Sequence, residues 1–279
     1  MKLSFPVSAT VTARRWLVDA EAGWTSTDFP IRYGLMERAD GLALIDTGYS
    51  PELFSAPDLA IRLYRNLLRL TLDPAQDALA VVQVKGAKAA DVQDIVVTHL
   101  HADHICGLRR FPYARLHMSR ASLAIWRASP SRHDLTMAFY RSLMPALAET
   151  TVRVVEDAPR VPLPWGGTGH DIFGDGSAVA VDLPGHMAGH FGLFFGKRER
   201  PLLYAADADW TLPPLLSGRE PNWPARLVVH DREAARRSGR TGARGDSVGS
   251  GRIAGSRSGA VAVSVRQTLR RQSVIRAGA

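Results

Sequence analysis

Cysteine is nearly missing from this 279-residue chain: Cys106 stands alone. A single cysteine excludes an intrachain disulfide and any cysteine-based zinc knuckle. Long apolar runs are missing too, and no stretch approaches the ~18–20 apolar residues of a membrane span. The opening Met-Lys-Leu-Ser-Phe-Pro-Val-Ser-Ala-Thr has no continuous apolar run of the kind a secretory leader uses. The expectation is a soluble, cytoplasmic protein that makes no membrane contact. Acids and lysine are scarce in one place only. Residues 235–279 carry ten arginines and one acid, Asp246, with no lysine and no aromatic. The formal net charge of +8 therefore belongs to that segment, because the first 234 residues net −1. A body so balanced argues against a specific nucleic-acid surface.

With 46% apolar and 22% charged residues, the composition is that of a globular protein. The Arg-, Gly-, Ser- and Ala-rich stretch is the exception, because it buries too little apolar surface to offset its ordering entropy. The expected organisation is one domain over residues 1–234 and a disordered tail over 235–279. Within the tail, residues 260–265 have a strand-like pattern but no evident partner.

What is present is concentrated in residues 98–104, Thr-His-Leu-His-Ala-Asp-His. His99, His101, Asp103 and His104 put three imidazoles and a carboxylate within six residues, ligand types that suit zinc and similar divalent ions. The run follows Asp-Ile-Val-Val (94–97), which reads as a buried strand. The ligands thus fall on the loop leaving a strand end, where α/β folds place their chemistry. Alternation sends His99 and His101 one way, and Asp103 with His104 can reach a second point. Cys106 reads as a small buried residue rather than a ligand. His117, His133 and His170 lack any such context.

His-x-His-x-Asp-His after a strand resembles the signature of the metallo-β-lactamase superfamily. Other elements follow in the family's order. Gly-Leu-Ala-Leu-Ile-Asp-Thr-Gly (41–48) ends an early strand in Asp46, Leu-Pro-Gly-His-Met-Ala-Gly-His (183–190) supplies His186 and His190, and Leu-Leu-Tyr-Ala-Ala-Asp-Ala (202–208) supplies Asp207. The resemblance implies an α/β fold, a four-layer αβ/βα sandwich, incomplete at its C-terminal end. It implies Zn2+ as cofactor, one or two ions per chain: His99, His101 and His186 on one, Asp103 and His104 on the other, and Asp207 bridging. Asp103 also serves catalysis, Asp46 and His190 stand behind the ligands, and Trp210 lines the substrate pocket.

The resemblance further implies attack by a zinc-bound hydroxide on a small-molecule ester, with a lactone as the leading substrate. A weakened or inactive metal-binding protein is the alternative, and a thioesterase or phosphodiesterase is a more distant one. The family's last ligand histidine has no counterpart: after Asp207 only His230 follows, inside Leu-Val-Val-His-Asp (227–231). The second ion is therefore expected to be weakly held, and the tail reads as foreign to the family, as a shifted reading frame would make it. Where lactonases of this family carry a tyrosine three residues after the bridging Asp, this chain has Trp210.

The local pattern predicts strands over 5–18, 30–46, 152–155, 178–183, 191–195 and 202–206. It predicts helices over 51–72, 119–128 and 133–148, and a turn at Gly166-Gly167-Thr168-Gly169.

Overall fold

The computed structural model describes residues 1–18, 23–56, 58–128, 138–208 and 262–264. It divides into two compact units, one of residues 1–14 and 25–154, the other of residues 15–24 and 155–279.

The first unit holds β1 (Lys2–Ser4), β2 (Val7–Arg14), β3 (Ser26–Arg32), β4 (Gly34–Arg38), β5 (Gly41–Ile45), β6 (Leu70–Leu72), β7 (Val92–Val96), β8 (Arg115–Met118) and β9 (Val152–Val154). Six of these form a sheet in the order β1-β4-β5-β7-β8-β9, and β3-β2-β6 form a smaller one. In the larger sheet β5, β7, β8 and β9 run parallel. Buried parallel strands are near-continuous apolar runs, and Ala43, Leu44, Ile45, Ile95, Val96 and Val97 are all fully buried. Parallel pairing places strand ends at one edge. Ile45 stands opposite Val96 in the register, so the residues that follow them, Asp46 and Val97-Thr98, emerge side by side.

The second unit contains β10 (Arg160–Pro162), β11 (Thr168–Asp171), β12 (Val179–Asp182), β13 (Phe191–Phe195), β14 (Leu202–Tyr204) and β15 (Ala262–Ser264), paired in sequence order. Val179, Val181, Leu183, Phe194, Leu203 and Ala205 form its core, with Trp165 packed edge-on against Phe194. β12 and β14 are both antiparallel to β13. Their C-terminal ends therefore coincide, and these ends carry residues 183–190 and 205–208. β15 pairs parallel with β14, so three residues of the arginine-rich segment do find a strand partner.

The expected helix over 51–72 is instead two helices and a strand, Glu52–Ser55, Leu59–Leu67 and β6. Ala56 is extended, as a residue preceding proline (Pro57) is driven to be. Leu70–Leu72 satisfies helical spacing equally well, but its pairing with Ala9–Val11 of β2 prevails. The described part of the expected 133–148 helix contains only the 3-10 turns Arg141–Leu143 and Leu147–Glu149. Ala138 has a positive φ, Tyr140 is extended, and Met144 is extended before Pro145. No helix among the described residues is long and apolar enough to cross a membrane.

Candidate metal centre

In the first unit the site is assembled from two adjacent strand ends. Asp46 follows β5 in the left-handed region, at φ 57, a conformation that costs a non-glycine residue energy and persists where its surroundings over-determine it. Its backbone N–H donates to the Val96 carbonyl at 2.8 Å, and its fully buried carboxylate turns toward Thr98. There it accepts from the Thr98 backbone N–H at 2.9 Å and from the Thr98 hydroxyl at 3.0–3.1 Å. It also lies 2.8 Å from Nδ1 of His104. Thr47 clamps the same loop from below: its N–H and its hydroxyl both donate to the His104 carbonyl, and its Oγ1 accepts from Gly107 N–H. Gly48 is dictated by space. A Cβ there would fall 2.3 Å from Ser8 Oγ, and φ is +70°.

These contacts fix protons. A carboxylate only accepts, so His104 donates from Nδ1 and keeps a lone pair on Nε2. The single Thr98 hydroxyl proton goes to Asp46, so its oxygen can accept from His99 Nδ1, 3.2 Å away. That leaves His99 Nε2 as a lone pair as well. It lies 3.0 Å from His101 Nδ1. Two nitrogens bound tetrahedrally to one zinc stand about 3.3 Å apart, so this pair fits a shared ion. The His99 and His104 rings meet at an interplanar angle of 55°, their centroids 3.7 Å apart. Asp103 Oδ1 is 3.9 Å from His104 Nε2. Nitrogen and carboxylate donors in this arrangement suit a divalent cation.

In the second unit, residues 183–190 form the loop between β12 and β13, with Gly185 and Gly189 at positive φ. His190 is a link rather than an open donor. Its Nδ1 donates to the Leu183 carbonyl at 2.7 Å, and its Nε2 accepts the Asp207 backbone N–H at 3.2 Å. It thereby ties the end of β12 to the turn after β14. That turn passes through Ala206, at φ 47, and places an Asp207 oxygen 3.7 Å from His186 Nε2.

Within each unit the residues singled out from sequence therefore gather: Asp46, His99, His101, Asp103 and His104 in the first, His186, His190 and Asp207 in the second. Trp210, His133 and His230 lie outside the described residues. Cys106 is buried and bonded to Ser50, and burial pushes its thiol up to about 11. His117 and His170 serve elsewhere. His117 Nε2 is 2.7 Å from Asp94, and His170 Nδ1 is 3.1 Å from the Ala158 carbonyl. Thr98 and Thr47 were not anticipated. The signal for Thr98 was its place as the first residue of the motif, beside an Asp at a parallel strand end.

The sequence profile of the metallo-β-lactamase superfamily matches residues 26–244. The chain belongs to this superfamily. A probable metallo-hydrolase of Mycobacterium tuberculosis is 33% identical over 178 residues, which is 62% of this chain and 55% of that protein. The chain thus spans about half the length of this relative. The N-acyl homoserine lactonase AttM of Rhizobium radiobacter is 26% identical over 192 residues, 66% of this chain and 67% of AttM. A solved N-acyl homoserine lactone hydrolase, with the product N-hexanoyl-L-homoserine at its catalytic metal centre, superposes with a TM-score of 0.64 over 86% of each chain at 16% identity. The superfamily protein described here shares that fold.

Proposed function

We propose that this superfamily member is a zinc-dependent hydrolase of small esters, acting on a lactone. His99, His101 and His186 are the ligands proposed for one ion, and Asp103 and His104 for a second, with Asp207 between them. The observation that carries the reading is the commitment of both Nδ1 protons, His104 to Asp46 and His99 to Thr98. Each ring is left with Nε2 for an ion, the arrangement that outer partners impose on metal-binding histidines. When bound, zinc supplies Lewis acidity: it makes a water acidic near neutral pH and polarises an acyl oxygen.

The chain's own residues do the rest. Asp46 and Thr98 hold the imidazoles in one tautomer and one orientation. Asp103 orients the attacking water and receives its proton. His190 holds the Asp207 backbone in place. Kinship with AttM and the fold shared with a lactone hydrolase support a lactone as the substrate.

The test is hydrolysis of a lactone and aryl-ester panel by zinc-loaded protein, with Asp103→Ala as control. Lactone turnover that is lost in the variant and on chelation supports the reading. Zinc binding without turnover of any ester would leave a metal-binding scaffold.

A further inference from the structure

One buried side chain in the first unit holds the backbone of the motif loop at two points. The helix that carries His104, Ala102–Ile105, is only four residues long. A helix so short leaves its carbonyls to partners outside it. Thr47, the residue after Asp46, brings two donors to one of them. Its N–H reaches the His104 carbonyl at 2.8 Å and its hydroxyl reaches the same oxygen at 2.9 Å. Its Oγ1 also accepts the Gly107 N–H at 2.9 Å. One hydroxyl thus spans the turn from 104 to 107, donating at one end and accepting at the other. Thr47 and His104 are both fully buried, and the fit is close: a Cβ on Gly107 would fall 3.1 Å from that of Thr47. Consecutive residues therefore hold His104 twice, Asp46 at ring Nδ1 and Thr47 at the carbonyl. Their own base is fixed, because the Asp46 N–H is bonded to Val96 of the neighbouring strand. His99 is held by another group, its Nδ1 facing the Thr98 hydroxyl.

We propose that Thr47 is a positioning residue, whose hydroxyl fixes the reach of His104 Nε2 toward the second ion. The proposal rests on the two-ion reading. A ring tied only at Nδ1 still pivots about that bond when its backbone shifts. Metal–ligand distances hold to within about 0.2 Å, so a small drift of the turn spoils the bond. The second ion, with one proposed imidazole, has no other nitrogen to take its place. Removing the Thr47 hydroxyl leaves the Gly107 N–H without its buried acceptor and takes one of two donors from the His104 carbonyl. An unmade hydrogen bond in a buried place is costly, and the turn rearranges to relieve it. Groups that orient a ligand from behind change metal affinity about 10–100-fold when they are lost. The loss falls on the second ion, because the hold is on His104 and the first ion's His99 is set by Thr98.

The experiment is zinc competition with chromogenic chelators, which needs no turnover, on full-length parent, Thr47→Val and Thr47→Ser proteins. Valine keeps the branched shape and removes the hydroxyl, whereas serine keeps the hydroxyl and removes the methyl. The second zinc is expected to bind the valine protein about tenfold more weakly, with the first bound as in the parent. Serine is expected to bring the second back to the parent's affinity. Thr47→Ala removes the same hydroxyl, with the same result expected, should the valine protein not fold. Equal weakening of both ions, no weakening, or a serine protein as weak as the valine one would overturn the role of Thr47 and leave the hydrolase reading standing. A parent that takes up no second ion would overturn the two-ion reading along with it.

Discussion

Asp46 Oδ2 stands 2.8 Å from His104 Nδ1, both side chains fully buried and 58 residues apart in the chain. That one contact decides which imidazole nitrogen faces an ion. An asparagine there cannot offer two accepting oxygens to Thr98 and His104 together. Asp46→Asn is therefore expected to weaken zinc binding about 10–100-fold, read by competition with a chromogenic chelator. Unchanged affinity would mean that the carboxylate serves the sheet edge alone.

The two proposed ions should leave at different chelator concentrations. In the proposed assignment His99, His101 and His186 would give the first ion three imidazoles, whereas the second would have one imidazole, His104, with carboxylates. Nitrogen-rich sites hold zinc harder than oxygen-rich ones. Stepwise dialysis against chelator, followed by elemental analysis, should reveal a tight and a loose class. One sharp release of both ions would contradict the assignment.

Asp94 governs a pH effect remote from the site. Burial pushes its carboxyl up, but hydrogen bonds from Arg115, 2.8 Å to each oxygen, and His117 outweigh this and hold it well below the usual range. A depressed folded value means stability that is present above about pH 4, the ordinary carboxylate value, and lost as pH falls through the folded one. Asp94→Asn should cost about 1–2 kcal/mol at neutral pH, discounted for the exposed Arg115 side. In urea titrations the gap to the parent should close in acid. A gap that persists there would assign the loss to packing.

How much of this was legible depends on distance along the chain. The motif residues, Asp46, His186 and Asp207 each sit in a short local pattern, a strand followed by small residues and a ligand. Of the parallel strands, β7 was legible as an apolar run, β5 and β9 fell within the strands expected over 30–46 and 152–155, and β8 was not predicted. Thr98 was not legible, because its importance arises from Asp46, tens of residues away, which only the sheet register brings near. The helices misjudged over 51–72 and 133–148 failed at residues preceding prolines, and at Leu70–Leu72, where spacing fits either state and a neighbouring strand decides.

Cys106 should be silent to thiol reagents in the folded protein. It is fully buried, hydrogen-bonded with Ser50, and raised to about 11, so little thiolate forms near neutral pH. A disulfide reagent should read no thiol in native buffer and one per chain in denaturant. Rapid native reaction would refute that.

A closed, solitary thiol also makes the chain a clean background for site-directed labelling. Val84 in the first unit is 85% exposed and Glu199 in the second is exposed. A Val84→Cys, Glu199→Cys variant would take one spin label on each unit, with Cys106 left in place. The distance between the labels, measured with and without zinc, would report whether zinc binding changes the separation of the two labelled positions.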